Sequence, residues 1–273
     1  MKAHLRAAAR EYLVDLDRPV SLASELSFSA EDPRYFGAPA ASSQPLAIAG
    51  FSGSVAAGAS CNCSTVSLTP HCNGTHTECV GHLTTQPLDA FRVVPPGLLP
   101  AVLVSVAPEN AACAGETSLP QPRAQDALIT QRLLARAWSA AQPRAAAPVC
   151  ALVIRTLPDR DARRDAVPPY LSKEAVLWIV ECGIEHLVVE LPSVDRLEDD
   201  GLLTAHRVFF GLPAGARDLG EARRPGCTIT ELACVPGTLH DGEYLLELQV
   251  PAIAGDAVPS RPLLYALAET GSS

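Results

Sequence analysis

Three segments decide the fold: Val149-Cys150-Ala151-Leu152-Val153-Ile154, then Ser172-Lys173-Glu174 and the residues up to Gly183, then His186-Leu187-Val188-Val189-Glu190-Leu191. The first and last are continuous apolar runs of strand length, rich in branched side chains. Between them, Ser172 suits a helix N-cap, and Glu174 falls in the first turn, where the helix dipole favours an anion. The helix is expected to run to Cys182 and stop at Gly183. Strand, helix and strand over this distance predict a right-handed crossover between parallel strands.

Working outward, Ala101–Val106 is another apolar run of strand length, and Glu243–Val250 reads as a strand among proline-rich turns. Asp126–Trp138 places Ala127, Leu128, Leu134, Ala137 and Trp138 near helical spacing, which predicts an amphipathic helix. The first fifty residues carry short apolar pieces such as Tyr12–Leu16, cut by Pro19, Pro33, Pro39 and Pro45, and read as short strands and loops. From Ala47 to Ser60 small residues and glycine predict a loop or bulged strand pressed close to other backbone. No internal repeat or linker divides the chain, so a single mixed α/β domain over residues 1–273 is expected.

The 273 residues carry a formal charge of −9 with 48% hydrophobic side chains, enough to fill a core and too apolar for a disordered chain. The acidic balance and the absence of a basic tract argue against nucleic acid as a partner. The longest apolar run, Pro100–Pro108, is about half the ~20 residues of a bilayer crossing, so no membrane span is expected. The N-terminus (Met1-Lys2-Ala3-His4-Leu5-Arg6) does not read as an export signal, and a cytoplasmic protein with reduced thiols is expected. Of nine cysteines, Cys113, Cys150, Cys182, Cys227 and Cys234 read as small buried hydrophobes. Cys61, Cys63, Cys72 and Cys79 gather around three histidines.

That gathering carries the chemistry. In Pro70-His71-Cys72-Asn73-Gly74-Thr75-His76-Thr77-Glu78-Cys79-Val80-Gly81-His82, three of the seven histidines fall within twelve residues. On a strand, the spacing of two puts His76 and Glu78 on one face, where an imidazole and a carboxylate make a good ligand pair for a divalent cation. Gly74 lets the chain bend so that a donor from residues 71–72 can turn toward the same point, and Gly81 gives the same freedom before His82. His186, opening a predicted strand, reads as a core or edge histidine.

This segment resembles the metal-dependent cyclase family that includes bacterial kynurenine formamidases and isatin hydrolases, whose signature is His-x-Gly-Thr-His-x-Asp-x-Pro-x-His. Gly74-Thr75-His76 matches its centre and His82 its last histidine, while Glu78 stands for Asp and Val80 for Pro. Val188–Asp195 resembles the family's strand ending in an Asp-containing motif, Thr204-Ala205-His206 its later histidine ligand, and Ile229–Leu232 its later glutamate ligand. The resemblance implies a swivelling β/β/α fold, a barrel-like sheet flanked by helices, assembled as a homodimer or homotetramer. It also implies a zinc or manganese centre that activates water to hydrolyse a small-molecule amide, formamide or lactam. Carried over by position, His76, Glu78, His206 and Glu231 would bind the metal, with His82 as the acid/base residue. The family's first ligand aligns with Cys72, and His71 lies one residue earlier. Two histidines and two carboxylates already neutralise a dication, so a neutral His71 fits better than a soft Cys72 thiolate among oxygen donors. The departures at positions 72, 78 and 80 leave a non-catalytic metal-binding protein as the alternative, and a lactonase or dehydratase would use the same centre.

Overall fold

The computed structural model describes residues 1–7, 10–141, 148–158 and 167–269. Two compact units form, one from residues 1–24 with 75–273 and one from residues 25–74.

The larger unit is built on an eleven-stranded mixed sheet. Its strands in chain order are β1 Lys2–Ala7, β2 Arg10–Asp15, β3 Val20–Ser21, β4 His76–Glu78, β5 Leu99–Val106 and β6 Ala151–Thr156. They continue with β7 His186–Val189, β8 Thr228–Glu231, β9 Gly242–Gln249, β10 Ala257–Pro259 and β11 Arg261–Glu269. The order across the sheet is β1-β2-β11-β9-β5-β6-β7-β8-β4-β10, with β3 paired to β11. β5, β6, β7 and β8 run parallel, and the pairs flanking them are antiparallel.

Parallel strands covered on both faces have no solvent side, which explains their unbroken apolar runs. Val102, Val104, Leu152, Ile154, Leu187 and Val189 point to one face, where they pack with helices α1 Gln131–Ala141, α2 Lys173–Glu181 and α3 Thr204–Phe210. Ala101, Leu103, Ala151, Val153 and Val188 point to the other face and meet Tyr244, Leu246 and Leu264 from the antiparallel half. Each fully buried Leu, Val or Ile contributes ~1.5–3 kcal/mol. Cores on both sides therefore fix the register of the central strands, because a one-residue slip would exchange the two faces.

The crossover from β6 through α2 to β7 forms as the sequence predicts. Ser172 caps α2, its hydroxyl accepting from the Ala175 amide, and Gly183 follows with φ +77. The expected strand to Leu191 ends instead at Val189, because Glu190 leaves the ladder. Its carboxylate accepts from the Thr156 amide at 2.8 Å and the Val235 amide at 2.9 Å, tying the ends of β6 and β7 to the segment that follows β8. The helix expected over Asp126–Trp138 begins only at Gln131. Leu128 and Ile129 are completely buried and pair with Tyr170 and Leu171 in a small second sheet. The Glu116 carboxylate accepts from the Gln131 amide at 2.9 Å and sets the helix start there. Among the scattered cysteines, Cys227 is buried and Cys150 and Cys182 are half-buried, but Cys113 and Cys234 are exposed. Cys113 lies in a single surface turn, Ala111–Ala114, that buries no side chain.

The smaller unit consists of two short antiparallel pairs, Ser42–Pro45 with Ser64–Ser67 and Ala47–Ile48 with Phe51–Ser52. A Cβ at Gly53 would lie 2.1 Å from the Cys63 carbonyl oxygen, which is the close backbone approach expected of this glycine-rich stretch. One helical turn, Pro70–Asn73, closes the unit, and the Asn73 amide donates to the Pro39 carbonyl. Cys61 and Cys63 are exposed.

Candidate metal centre

β4 delivers the first two donors. Its three residues are buried, and it pairs antiparallel with β8 so that His76 faces Glu231 and Glu78 faces Ile229. Side chains alternate along a strand, so His76, Glu78 and Glu231 share one face. Thr77 and Thr230 share the opposite face, where their hydroxyls are 2.7 Å apart. Cross-strand pairing therefore brings together residues more than 150 positions apart in sequence, and β10, paired to β4 on its other side, fixes the same register.

α3 delivers the fourth donor onto this face. Its N-cap, Leu203, gives no side-chain cap, and the Asp195 carboxylate takes that place by accepting from the amides of Ala205 at 2.7 Å and His206 at 3.1 Å. The same carboxylate accepts from Nδ1 of His206 at 2.7 Å, which fixes the ring and turns Nε2 toward the strands. There Nε2 lies 2.8 Å from Oε1 of Glu78 and 3.5 Å from Oε1 of Glu231. Nε2 of His76 lies 3.5 Å from the other Glu231 oxygen. Glu231 is oriented in turn by the Val194 amide, which donates to Oε1 at 2.7 Å.

Two backbone distortions flank these donors. Leu203 and Leu232 hold φ of +48 and +54, a left-handed conformation that a branched side chain resists. Leu232 immediately follows Glu231, and its carbonyl accepts from the Thr75 hydroxyl at 2.7 Å, so the kink is tied to the residue preceding His76. Strained backbone of this kind concentrates at functional sites.

Electrostatics at His206 run against its burial. Burial alone would lower the imidazole pKa, but the carboxylates of Glu78, Asp195 and Glu231 outweigh it and hold the value well above the ordinary 6.5. The same three carboxylates would favour a bound cation. Two imidazoles and two carboxylates converge with side chains 0–4% exposed, and their charge and nitrogen–oxygen mix fit a divalent metal ion.

His82 stands at the rim on a 3₁₀ turn, Val80–Leu83, and is partly exposed. Ring nitrogens of His82 and His206 and a carboxylate oxygen of Glu78 lie within 4.8 Å of one another. Nδ1 of His82 is 3.2 Å from Oδ2 of Asp256. His71 lies half-buried, and Cys72 buried, on the helical turn of the smaller unit. Burial pushes the Cys72 thiol up, away from the thiolate that would ligate.

The structure thus brings together His76, Glu78, His206, Glu231 and His82. Sequence reading missed the part played by Asp256, which lies 174 residues after His82 in a stretch that shows only turn residues. Trp138 and Trp178 pack edge-on with centroids 5.9 Å apart, partly buried against the apolar core, whereas Phe210 lies 6.5 Å from the His206 ring. Two arginines that follow His206 in the sequence are engaged with backbone. Arg207 donates to the carbonyls of Pro213 and Ala216, and Arg224 to those of Phe209 and Ile184. His186 is a buried histidine bonded to the Thr228 hydroxyl at 2.9 Å, as its place at a strand start predicts.

Comparison with known proteins places the fold. A predicted metal-dependent hydrolase from Bacillus stearothermophilus is similar in structure, with TM-score 0.55 and 14% identity over 91% of this chain and 98% of that one. An isatin hydrolase bound to the product analogue thioisatinate is similar at TM-score 0.56 and 15% identity, covering 92% and 93%. Isatin hydrolase A from Labrenzia aggregata, bound to benzyl benzoate, gives TM-score 0.58 and 15% identity, covering 92% and 94%. No curated protein sequence matches. These likenesses establish the fold. Residues 14–196 match the family model described as "Putative cyclase", which is more than half of the chain, and the chain therefore belongs to that cyclase family.

Proposed function

We infer that this chain is a metal-dependent hydrolase of a carbon–nitrogen bond in an amide, formamide or cyclic amide. The observation that carries the reading is His206, held by Asp195 on one side and aimed at Glu78 and Glu231 on the other, on the face that also bears His76. The structural likeness to isatin hydrolases supports the same chemistry.

His76, Glu78, His206 and Glu231 would hold a zinc or manganese ion, with His71 preferred to Cys72 as a further donor on the charge argument. A cation bound there lowers the pKa of water toward neutrality and polarises a carbonyl oxygen. The protein's own part is positioning and proton transfer. Glu78 and Glu231 supply the charge that retains the ion, and Asp195 keeps Nε2 of His206 directed inward. His82, at the rim and open to an arriving substrate, takes the proton from the attacking water and returns it to the departing nitrogen. A histidine suits both steps because its ordinary pKa lies near the working pH. The expected assembly is a homodimer or homotetramer.

The test is metal analysis of protein purified without added metal, combined with turnover on isatin and a panel of formamides, lactams and lactones. Stoichiometric zinc or manganese with hydrolysis of an amide or lactam is expected. His82→Ala should keep its metal and lose ~10²–10⁴-fold in turnover. A protein that takes up no divalent ion, or a metal-loaded His82→Ala that retains full turnover, overturns the reading. Among the described residues no helix is long and apolar enough to cross a membrane.

A further inference from the structure

His82 is held by more than its own turn. The amide of Cys79, the N-cap of that turn, donates to the Asp256 carbonyl at 3.0 Å, and the Cys79 thiol lies 3.2 Å from the Leu88 carbonyl. A Cβ at Gly81 would come within 2.5 Å of the Leu88 carbonyl oxygen and 3.3 Å of the Asp256 Cβ. The turn is therefore pressed against the Asp256 segment with no room for a side chain at position 81. Asp256 is fixed just as firmly, because the next residue, Ala257, opens β10 and pairs with Glu78 in the ladder. Gly255 before it donates to the Asp89 carboxylate and accepts from the Ala90 amide. One ladder thus delivers Glu78 to the centre and Asp256 to Nδ1 of His82, 3.2 Å away.

We propose that Asp256 is the positioning residue for His82: it holds the proton on Nδ1, so that Nε2 carries the lone pair that accepts a proton from the nucleophile. A neutral imidazole has one donor and one acceptor nitrogen, and the hydrogen bond made by one decides the state of the other. A carboxylate accepts only, so Nδ1 must be the donor. The same logic operates at His206 with Asp195, so His82 and His206 are each oriented by a carboxylate on Nδ1. The inference rests on the reading of His82 as the proton-transfer group.

The tautomer is read without turnover. Nitrogen-15 imidazole spectra of zinc-supplemented protein, at a pH where His82 is neutral, report which nitrogen carries the proton. His82→Gln identifies the signal. The expected result is Nδ1–H in the wild type, loss of that state in Asp256→Ala, and its return in Asp256→Glu. Asp256→Ala should lower kcat about 10–100-fold with KM within a factor of about two, the loss typical of a missing carboxylate partner. A wild-type spectrum showing Nε2–H, or one unchanged by Asp256→Ala, overturns the proposal before any variant need be active. Zinc lost in Asp256→Ala overturns it too, since Asp256 would then be a ligand. If His82→Ala remains fully active while the tautomer responds as expected, the catalytic reading of His82 fails and the orientation by Asp256 stands.

Discussion

A buried histidine lies near each end of the parallel strands β7 and β8, and its surroundings shift the imidazole pKa in opposite directions at the two ends. At the start of β7, His186 bonds to the Thr228 hydroxyl, and burial, aided by the positive charge of Arg224, pulls its pKa down to about 4. Beyond the other end, His206 is at least as buried, yet its pKa is held well above 6.5 by the carboxylates around it. Burial acts with the same sign on both. What differs is the neighbours: a hydroxyl and a guanidinium at one end, three carboxylates at the other. The C-terminal ends of parallel strands are where open α/β sheets place their ligand sites, and Glu190 and Glu231 lie at those ends of β7 and β8.

The contrast can be broken most severely at Glu78. In Glu78→Gln only Glu231 would neutralise a dication, and the His206 imidazole loses its 2.8 Å partner. The expected outcome is a folded protein that retains no divalent metal after dialysis and hydrolyses no faster than buffer, measured by metal analysis and turnover together. Next in size is Asp195→Asn, which removes the carboxylate that fixes His206. Metal affinity should fall about 10–100-fold in a chelator competition, as outer partners of ligating histidines generally cost. An unchanged affinity would mean that α3 alone orients the ring.

The two histidines also make opposite predictions for stability against pH. The pKa of His186 is lowered on folding, so its contribution is present above pH ~6.5 and is lost as pH falls toward 4, by up to about 3 kcal/mol. His206 in metal-free protein has a raised pKa, so its contribution is present below pH ~6.5 and is lost as pH rises through its folded value. Urea midpoints across this range should lose their acid-side slope in His186→Gln. Metal loading should flatten the alkaline side, because the cation replaces the proton. The smallest effect is expected from Thr230→Val, on the face of β8 turned away from the donors. It strands the buried Thr77 hydroxyl at a cost of about 1–2 kcal/mol and should leave metal content untouched.

The legible parts of the sequence were those set by local rules. Apolar runs, the Ser172 cap and the Gly183 stop defined the crossover, and the spacing of two put His76 and Glu78 on one face. The helix before Trp138 was misplaced at its start because Leu128 and Ile129 satisfy helical spacing and strand pairing alike. Only the distant Tyr170 and Leu171 decide between them. His206 and Glu231 could be named from the family pattern, but no local feature announces them. Asp256 was illegible for the same reason: its meaning depends on a register between β10 and β4 that no short window contains.

The kink at Leu232 has a consequence for how the centre keeps its shape. Its left-handed backbone costs ~1–2 kcal/mol, and its completely buried side chain offsets this with ~1.5–3 kcal/mol. Glycine at this position would relieve the torsion but remove the plug that seats it. Burial of one leucine side chain thus helps to hold the turn that carries the adjacent glutamate, so the polar cluster depends on an apolar neighbour that touches no ligand.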